Sequence, residues 1–153
     1  MKLLLVRHAD ADVPAETDAA RPLSEKGHKQ AQQVANFLKS YPLAPQLVLS
    51  STAIRAAETA QPIARALGID VIPCGWARPG MLPDEAIQEL QPYARFKELV
   101  LVGHQPDLAL LTARLIGLPQ PARVHVRKAS IIHLNLTSPS SALLEALIPC
   151  HLP

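Results

Sequence analysis

Four short runs of strand length divide this 153-residue chain: Leu3-Leu4-Leu5-Val6, Leu47-Val48-Leu49, Ile69 to Ile72 and Leu99 to Val102. The first, second and fourth are uninterrupted apolar runs, as strands buried on both faces of a sheet are. Stretches of helical spacing lie between them. Ser24 is a candidate N-cap for a helix whose apolar stripe is Ala31, Val34, Ala35 and Leu38, closed by Tyr41-Pro42. Ser50-Ser51-Thr52 offer caps for a second helix, with Ile54, Ala57, Ala60, Ala64 and Leu67 as its face and Gly68 at its end. Pro83-Asp84-Glu85 opens a weaker third, holding Ile87 and Leu90 and stopped by Pro92. Pro106 is expected at the first position of a fourth, which carries Leu108, Leu111 and Leu115 and closes at Gly117. Ala129 to Leu136 reads as a further strand. Ser141 to Ile148 stays open between strand and helix, because Ala-Leu-Leu-Glu-Ala-Leu has helical propensity.

Alternating strand and helix predicts an α/β protein, a three-layer α/β/α sandwich with a mostly parallel central sheet. Apolar residues make up 48% of the chain and charged residues 18%, which supports a packed core rather than disorder. The length suits one domain over residues 1–153. Lys and Arg (15) nearly balance Asp and Glu (13), and aromatics are 3%, so neither nucleic acid nor an acidic membrane is an expected partner. The run Leu3 to Val6 falls far short of the roughly 20 apolar residues a membrane span needs, and no signal-type cleavage site follows it. A cytoplasmic location is expected, and with no heptad pattern, a monomer. Cys74 and Cys150 form neither a disulfide framework nor a metal-type pair and are expected as separate thiols, a single bridge being the alternative.

Ligands in open α/β sheets bind beyond the carboxyl ends of the strands. Three polar clusters fall there: Arg7-His8, Ser51 to Arg55, and His104. Arginine's planar fork suits phosphate oxygens, and histidine can serve as nucleophile, base or donor. An anion site, with phosphate as the leading anion, is the natural expectation. Arg55 near a helix start is disfavoured by the helix dipole, which also points to a bound anion.

These residues resemble a known family. Leu-Val-Arg-His-Ala-Asp-Ala at 5–11 is similar to the Arg-His-Gly signature of the histidine phosphatase superfamily, the phosphoglycerate-mutase-like phosphatases. Arg21-Pro22-Leu23-Ser24 with Gly27 and Gln30-Ala31 resembles the segment entering that family's first helix. Ser50-Ser51, Arg55-Ala56 and Glu58-Thr59-Ala60 resemble its second-arginine motif, and Leu101-Val102-Gly103-His104 its second-histidine motif. Compact size and the Arg-His-x-Asp-Ala start are most like the small SixA-type phosphohistidine phosphatases. Two departures stand out: Ala9 replaces the usual glycine, and Pro73 to Pro83 has no counterpart of the glutamate that often serves as general acid.

The resemblance implies that His8 attacks phosphorus and carries the phosphoryl group, while Arg7, Arg55 and His104 neutralise its oxygens. Arg21 and Ser51 are further substrate-binding candidates. No cofactor or metal is implied. Neighbouring arginines should keep His8 neutral. An alkoxide leaving group needs a proton, worth typically about 10²–10⁴-fold, whereas a protonated imidazole does not. A site without a carboxylic acid should therefore favour a phosphohistidine-bearing protein. Asp10, Asp84 or Glu85 swinging in as donor would instead favour a small phosphorylated substrate, a phosphomonoester. A catalytically idle phosphate- or phosphoprotein-binding module is the alternative of another class.

Each candidate also has an ordinary reading. Arg21 suits a loop ion pair with Asp18, and Ser51 suits a helix cap. His28, His125, His133 and His151 match no motif. Arg123, Arg127 and Lys128 read as a solvated face or a guide for an acidic partner. Trp76 reads as a loop anchor or a substrate contact.

Overall fold

A computed structural model describes residues 1–13, 15–119 and 123–150. Its six strands are β1 (Lys2–Arg7), β2 (Leu47–Ser51), β3 (Val71–Cys74), β4 (Glu98–Gly103), β5 (Ile131–Ser138) and β6 (Ser141–Ile148). They form one sheet in the order β3-β2-β4-β1-β5-β6. The first four run parallel. The antiparallel pair β5 and β6 completes the sheet beside β1.

Four helices cover it: α1 (Glu25–Ser40), α2 (Ile54–Leu67), α3 (Pro83–Leu90) and α4 (Asp107–Ile116). Alternation along the strands decides which core each side chain joins. Leu4, Val6, Val100 and Val102 pack with Val34 and Leu38 of α1 and Ala60 and Ile63 of α2. Leu3, Leu5, Leu99 and Leu101 pack on the other face with Ile87 and Leu90 of α3 and Leu108 and Leu111 of α4. Each fully buried leucine contributes about 1.5–3 kcal/mol. The uninterrupted apolar runs are thus explained: both faces of β1 and β4 are dry.

Several expectations hold. Ser24 caps α1, its hydroxyl accepting from Gly27 N at 3.0 Å, and Ala31, Val34, Ala35 and Leu38 are all buried. Gly68 and Gly117 end α2 and α4 in the left-handed region, at φ 66° and 76°. Cys74 and Cys150 are free thiols. Trp76 sits in a 3-10 turn (Gly75–Ala77) packed against the α3/α4 core.

Others need correction. The open segment at the C-terminus is strand β6, hydrogen-bonded along β5 after a tight turn. Pairing overrides the helical propensity of isolated residues. The strand after Gly68 begins at Val71 and runs through Pro73 to Cys74. Pro106 is the N-cap of α4 and not its first residue. The buried face of α2 is Arg55, Ala56, Thr59, Ala60, Ile63 and Ala64, while Ile54 is 42% exposed. That face is rotated from the purely apolar stripe because it has to present two polar side chains inward. His28 lies at the surface 3.8 Å from Glu58, and His133 is bonded to the Tyr41 hydroxyl at 2.9 Å. His151 lies outside the described residues. Among those described, no helix is long and apolar enough to cross a membrane.

In the order β2-β4-β1 the carboxyl ends of three parallel strands lie side by side. Ser51, Gly103-His104 and Arg7-His8 therefore share one edge of the sheet.

Candidate active site

The segment leaving β1 is fixed by contacts from three directions. His8 N donates to Gly103 O at 3.0 Å, across the strand pair. Ala9 N donates to Thr59 Oγ1 of α2 at 3.0 Å, and Asp10 N donates to Gln30 Oε1 of α1 at 2.8 Å. Ala9 itself has no exposed surface, so only a small residue fits after His8. Gly27 is required by the same packing: a Cβ there would run into the Asp10 carbonyl oxygen. Gly27→Ala should therefore destabilise the fold by about 1–3 kcal/mol, the usual range for overpacking, and displace the backbone after His8. Thermal unfolding checks the first effect, and a drop in turnover larger than the stability loss explains checks the second.

His8 is 7% exposed. Its Nδ1 lies 2.7 Å from Ala9 O, and a carbonyl only accepts, so Nδ1 carries the proton. That leaves Nε2 with its lone pair, accepting from Arg55 Nε at 3.3 Å. Burial pushes the ring's pKa down to about 4, with Arg55, Arg7 and Lys128 adding to the effect against the Ala9 carbonyl. Tautomer and charge state are set by one arrangement.

His104 stands beside it, ring centroids 5.2 Å apart. Its Nε2 is 2.7 Å from Ser51 Oγ, and burial, followed by the neighbouring His8, pushes its pKa down to about 3. Ser51 thus holds the second histidine. It also accepts from Ala53 N at 3.2 Å, but α2 has Ala53 as its N-cap and no side-chain cap, so the expected helix-capping serine is absent from that position. Arg7 donates through Nη1 to Val126 O at 2.9 Å. Arg7 Nε and His104 Nδ1 are buried with no partner among the described residues. Such atoms cost about 1–3 kcal/mol each, and a site that receives an anion would satisfy them.

Both histidines titrate below their ordinary value, so the sign of the pH effect is fixed. The unfolded chain takes up protons from pH 6.5 downward that the folded chain refuses until about 4 and 3. Stability present above pH 6.5 is therefore lost as pH falls through that window. Imidazole nitrogen NMR at pH 5.5 should find His8 neutral with its proton on Nδ1. A doubly protonated ring at that pH would contradict the arrangement.

Arg55 is 5% exposed. Besides His8 it donates through Nη1 to Asp18 O at 2.8 Å and through Nη2 to Asp18 Oδ2 at 3.0 Å. Asp18 lies in a short 3-10 turn (Asp18–Ala20) capped by Thr17. Arg21 holds the other carboxylate oxygen at 3.2 Å. The expected Arg21–Asp18 pair is thus present, and it reaches the cluster through Asp18. Bonding by Arg21, then Arg55, keeps the Asp18 carboxyl below the usual range.

The proposed proton donors are differently placed. Asp10 is tied to Lys128 Nζ at 2.7 Å and to Ser24 Oγ at 2.7 Å, and these bonds hold its carboxyl low. Asp84 pairs with Arg114, at the far end of α4 from His104. Glu85 is exposed in the first turn of α3. Asp107, three residues after His104, accepts from Gly80 N at 2.9 Å and anchors the loop before α3. Among the described residues, no group of three or more His, Cys, Asp or Glu side chains is placed to hold a metal ion.

Thr59 and Gln30 fall within the family-like motifs but were given no role in the site, and Asp18 was expected only as a loop partner of Arg21. Thr59 and Gln30 act through backbone amides, and Asp18 lies in a loop whose conformation is tertiary. Gln30 had an indirect signal, a polar residue on the buried stripe of α1; Thr59 and Asp18 had none in the spacing.

The arrangement offers one unprotonated ring nitrogen with a guanidinium on it, a second histidine beside it and the charge of Arg7 acting on both rings, a suitable set for transferring a phosphoryl group. The model of the histidine phosphatase superfamily (branch 1) matches residues 3–74. Phosphohistidine phosphatase SixA of Escherichia coli (strain K12) is 30% identical over 83 residues, covering 49% of this chain and 52% of that protein. The aligned region thus spans about half the length of that relative. A protein of Picosynechococcus sp., itself without an assigned function, is 30% identical over 143 residues, 88% of this chain and 85% of its own. The structure of protein histidine phosphatase SixA complexed with tungstate superposes with a TM-score of 0.88 at 22% identity, covering 97% of each chain. The fold is the phosphoglycerate-mutase-like α/β fold.

Proposed function

The chain belongs to the histidine phosphatase superfamily, and from that premise we propose that it hydrolyses protein phosphohistidine through a covalent phosphohistidine on His8. The observation that carries this reading is the lone pair of His8 Nε2, held neutral and aimed at the Arg55 guanidinium. The His8 lone pair forms an Nε2–P bond as the substrate's P–N bond breaks, and the substrate imidazole leaves with the proton it already carries. Water then attacks phosphorus, the Nε2–P bond breaks, and its protons stay with phosphate and solvent. Phosphorylation makes the His8 ring cationic, and the Ala9 carbonyl on Nδ1–H stabilises that state. Arg7, Arg55 and His104 meet the charge that develops on the oxygens. SixA of the same fold is described with tungstate, a tetrahedral oxyanion of phosphate's shape.

The substrate class follows from proton supply. Asp18 is the carboxylate bonded into the cluster, and its two arginine partners keep it ionised and unable to donate. An alkoxide would leave without a proton at a cost of about 10²–10⁴-fold, whereas a protonated imidazole loses nothing. The reading places a single-domain monomer in the cytoplasm, with no metal or cofactor in its mechanism. Release of labelled phosphate from a phosphohistidine-bearing protein domain, measured beside an alkyl phosphate, tests it. Preference for the protein by about 10²-fold or more is expected. The reverse preference would assign the same residues to a small-molecule phosphomonoesterase, and no His8-dependent release from either would leave a phosphate-binding module.

A further inference from the structure

A second feature adjoins the candidate site. A cleft of about 350 Å³ is lined by Arg7, Lys26, Arg127 and Lys128, with Asp10 and His125 among its other walls. Arg7 belongs to both. Four cations against one carboxylate leave three net positive charges, more than the +2 of the whole chain. The rest of the chain has eleven Lys and Arg against twelve Asp and Glu, so the net positive excess lies in this cleft. Asp10 is already neutralised by Lys128 at 2.7 Å, so the exposed Lys26 and Arg127 are left facing solvent.

Lys26 also adds to the positive field on Asp10, behind the direct bonds from Lys128 and Ser24. Lys26 sits in the first turn of α1, where the helix dipole disfavours a cation by about 0.3–1 kcal/mol. The loop carrying Arg127 and Lys128 is fastened to the site: Ala129 N lies 3.1 and 3.2 Å from the Arg7 and His8 carbonyl oxygens, and Arg7 N donates to Ser130 O at 3.1 Å. Val126 O accepts from Arg7 Nη1 at 2.9 Å. Ala129 adopts φ 59°, the left-handed region that a non-glycine residue enters only under constraint. The loop is thus held in a fixed relation to the catalytic arginine.

We propose that this basic cleft is the docking surface for an acidic stretch of the protein that carries the phosphohistidine, next to the phosphorylated side chain. The proposal rests on the phosphohistidine reading above and adds how the carrier protein is chosen. Steering by opposite charge raises encounter rates and falls with ionic strength. It acts on a protein substrate and not on a substrate too small to reach the cleft.

The test is Lys26→Glu with Arg127→Glu, neither of which touches His8, Arg55 or His104. Lys128 is left in place because it holds Asp10. Turnover is measured on a phosphohistidine protein domain of acidic surface and on phosphoramidate, each at low and high salt. The double variant should raise KM for the protein about tenfold or more with kcat unchanged, and flatten the salt dependence of kcat/KM. Phosphoramidate kinetics should not move. Wild-type rates on the protein substrate in the double variant, or equal losses on both substrates, would overturn the docking surface while leaving the phosphohistidine reading intact. A wild-type enzyme active on phosphoramidate but inactive on the phosphohistidine protein would overturn both.

Discussion

A His8→Ala variant should lose phosphate release by about 10⁴-fold or more, the scale on which removing a covalent nucleophile acts. The size of the effect follows from how the ring is held. Its Nδ1 is committed to the Ala9 carbonyl at 2.7 Å, which leaves the Nε2 lone pair, facing Arg55 at 3.3 Å, as the proposed nucleophile. The neighbouring His104 is held by Ser51 through Nε2 at 2.7 Å, in a different orientation from His8, their ring planes inclined by 52°. The backbone of residues 8–10 is anchored by Thr59 and Gln30 through main-chain amides, so the fold should survive the truncation. The cavity left by the ring also offers a positive control: free imidazole should restore a measurable fraction of turnover in the variant. Wild-type rates without His8 would place the nucleophile elsewhere.

Arg55→Lys should be nearly as damaging as Arg55→Ala, each lowering kcat by about 10²–10³-fold, as loss of a charge-stabilising donor does. A conserved positive charge is not enough here. Arg55 makes three contacts at once, through Nε to His8 and through both terminal nitrogens to Asp18. An ammonium is a point charge on a flexible stem and cannot span that set. The two variants differ in a second readout. Arg55 is one of the cations that help hold the His8 pKa at about 4, so Arg55→Ala should raise it, and the acid limb of the pH–rate profile should move to higher pH. In Arg55→Lys the charge remains and the limb should move less. A fully active Arg55→Lys enzyme would show that the guanidinium fork is not used.

The parts of this fold that were legible in the residues are those decided locally. Both-face burial is written in Leu3 to Val6 and Leu99 to Val102, and the caps at Ser24 and Gly68 need no tertiary information. The convergence of Arg7, His8, Arg55 and His104 follows from strand ends that the parallel order places together. What was not legible depends on partners far away in the chain. Ser141 to Ile148 forms a strand because β5 offers it a hydrogen-bonding edge, against a propensity that favours helix. The apolar spacing of α2 pointed to Ile54 and Ala57, yet the helix turns Arg55 and Thr59 inward, because a polar site and not oil lies beneath its first turn. Ser51 looked like a cap from its position before a helix, and its stronger bond is to His104, 53 residues on. The link of Asp18 to Arg55 crosses 37 residues and has no local signature.

The covalent phosphohistidine proposed on His8 can be trapped. The wild-type protein is mixed with a ³²P-labelled phosphohistidine domain, denatured within milliseconds at alkaline pH, and digested for mass spectrometry and phosphorus NMR. An acid-labile phosphoryl group is expected on Nε2 of His8, formed and lost at rates no slower than turnover. Turnover with no labelled enzyme at any time, or label on a residue other than His8, would contradict it.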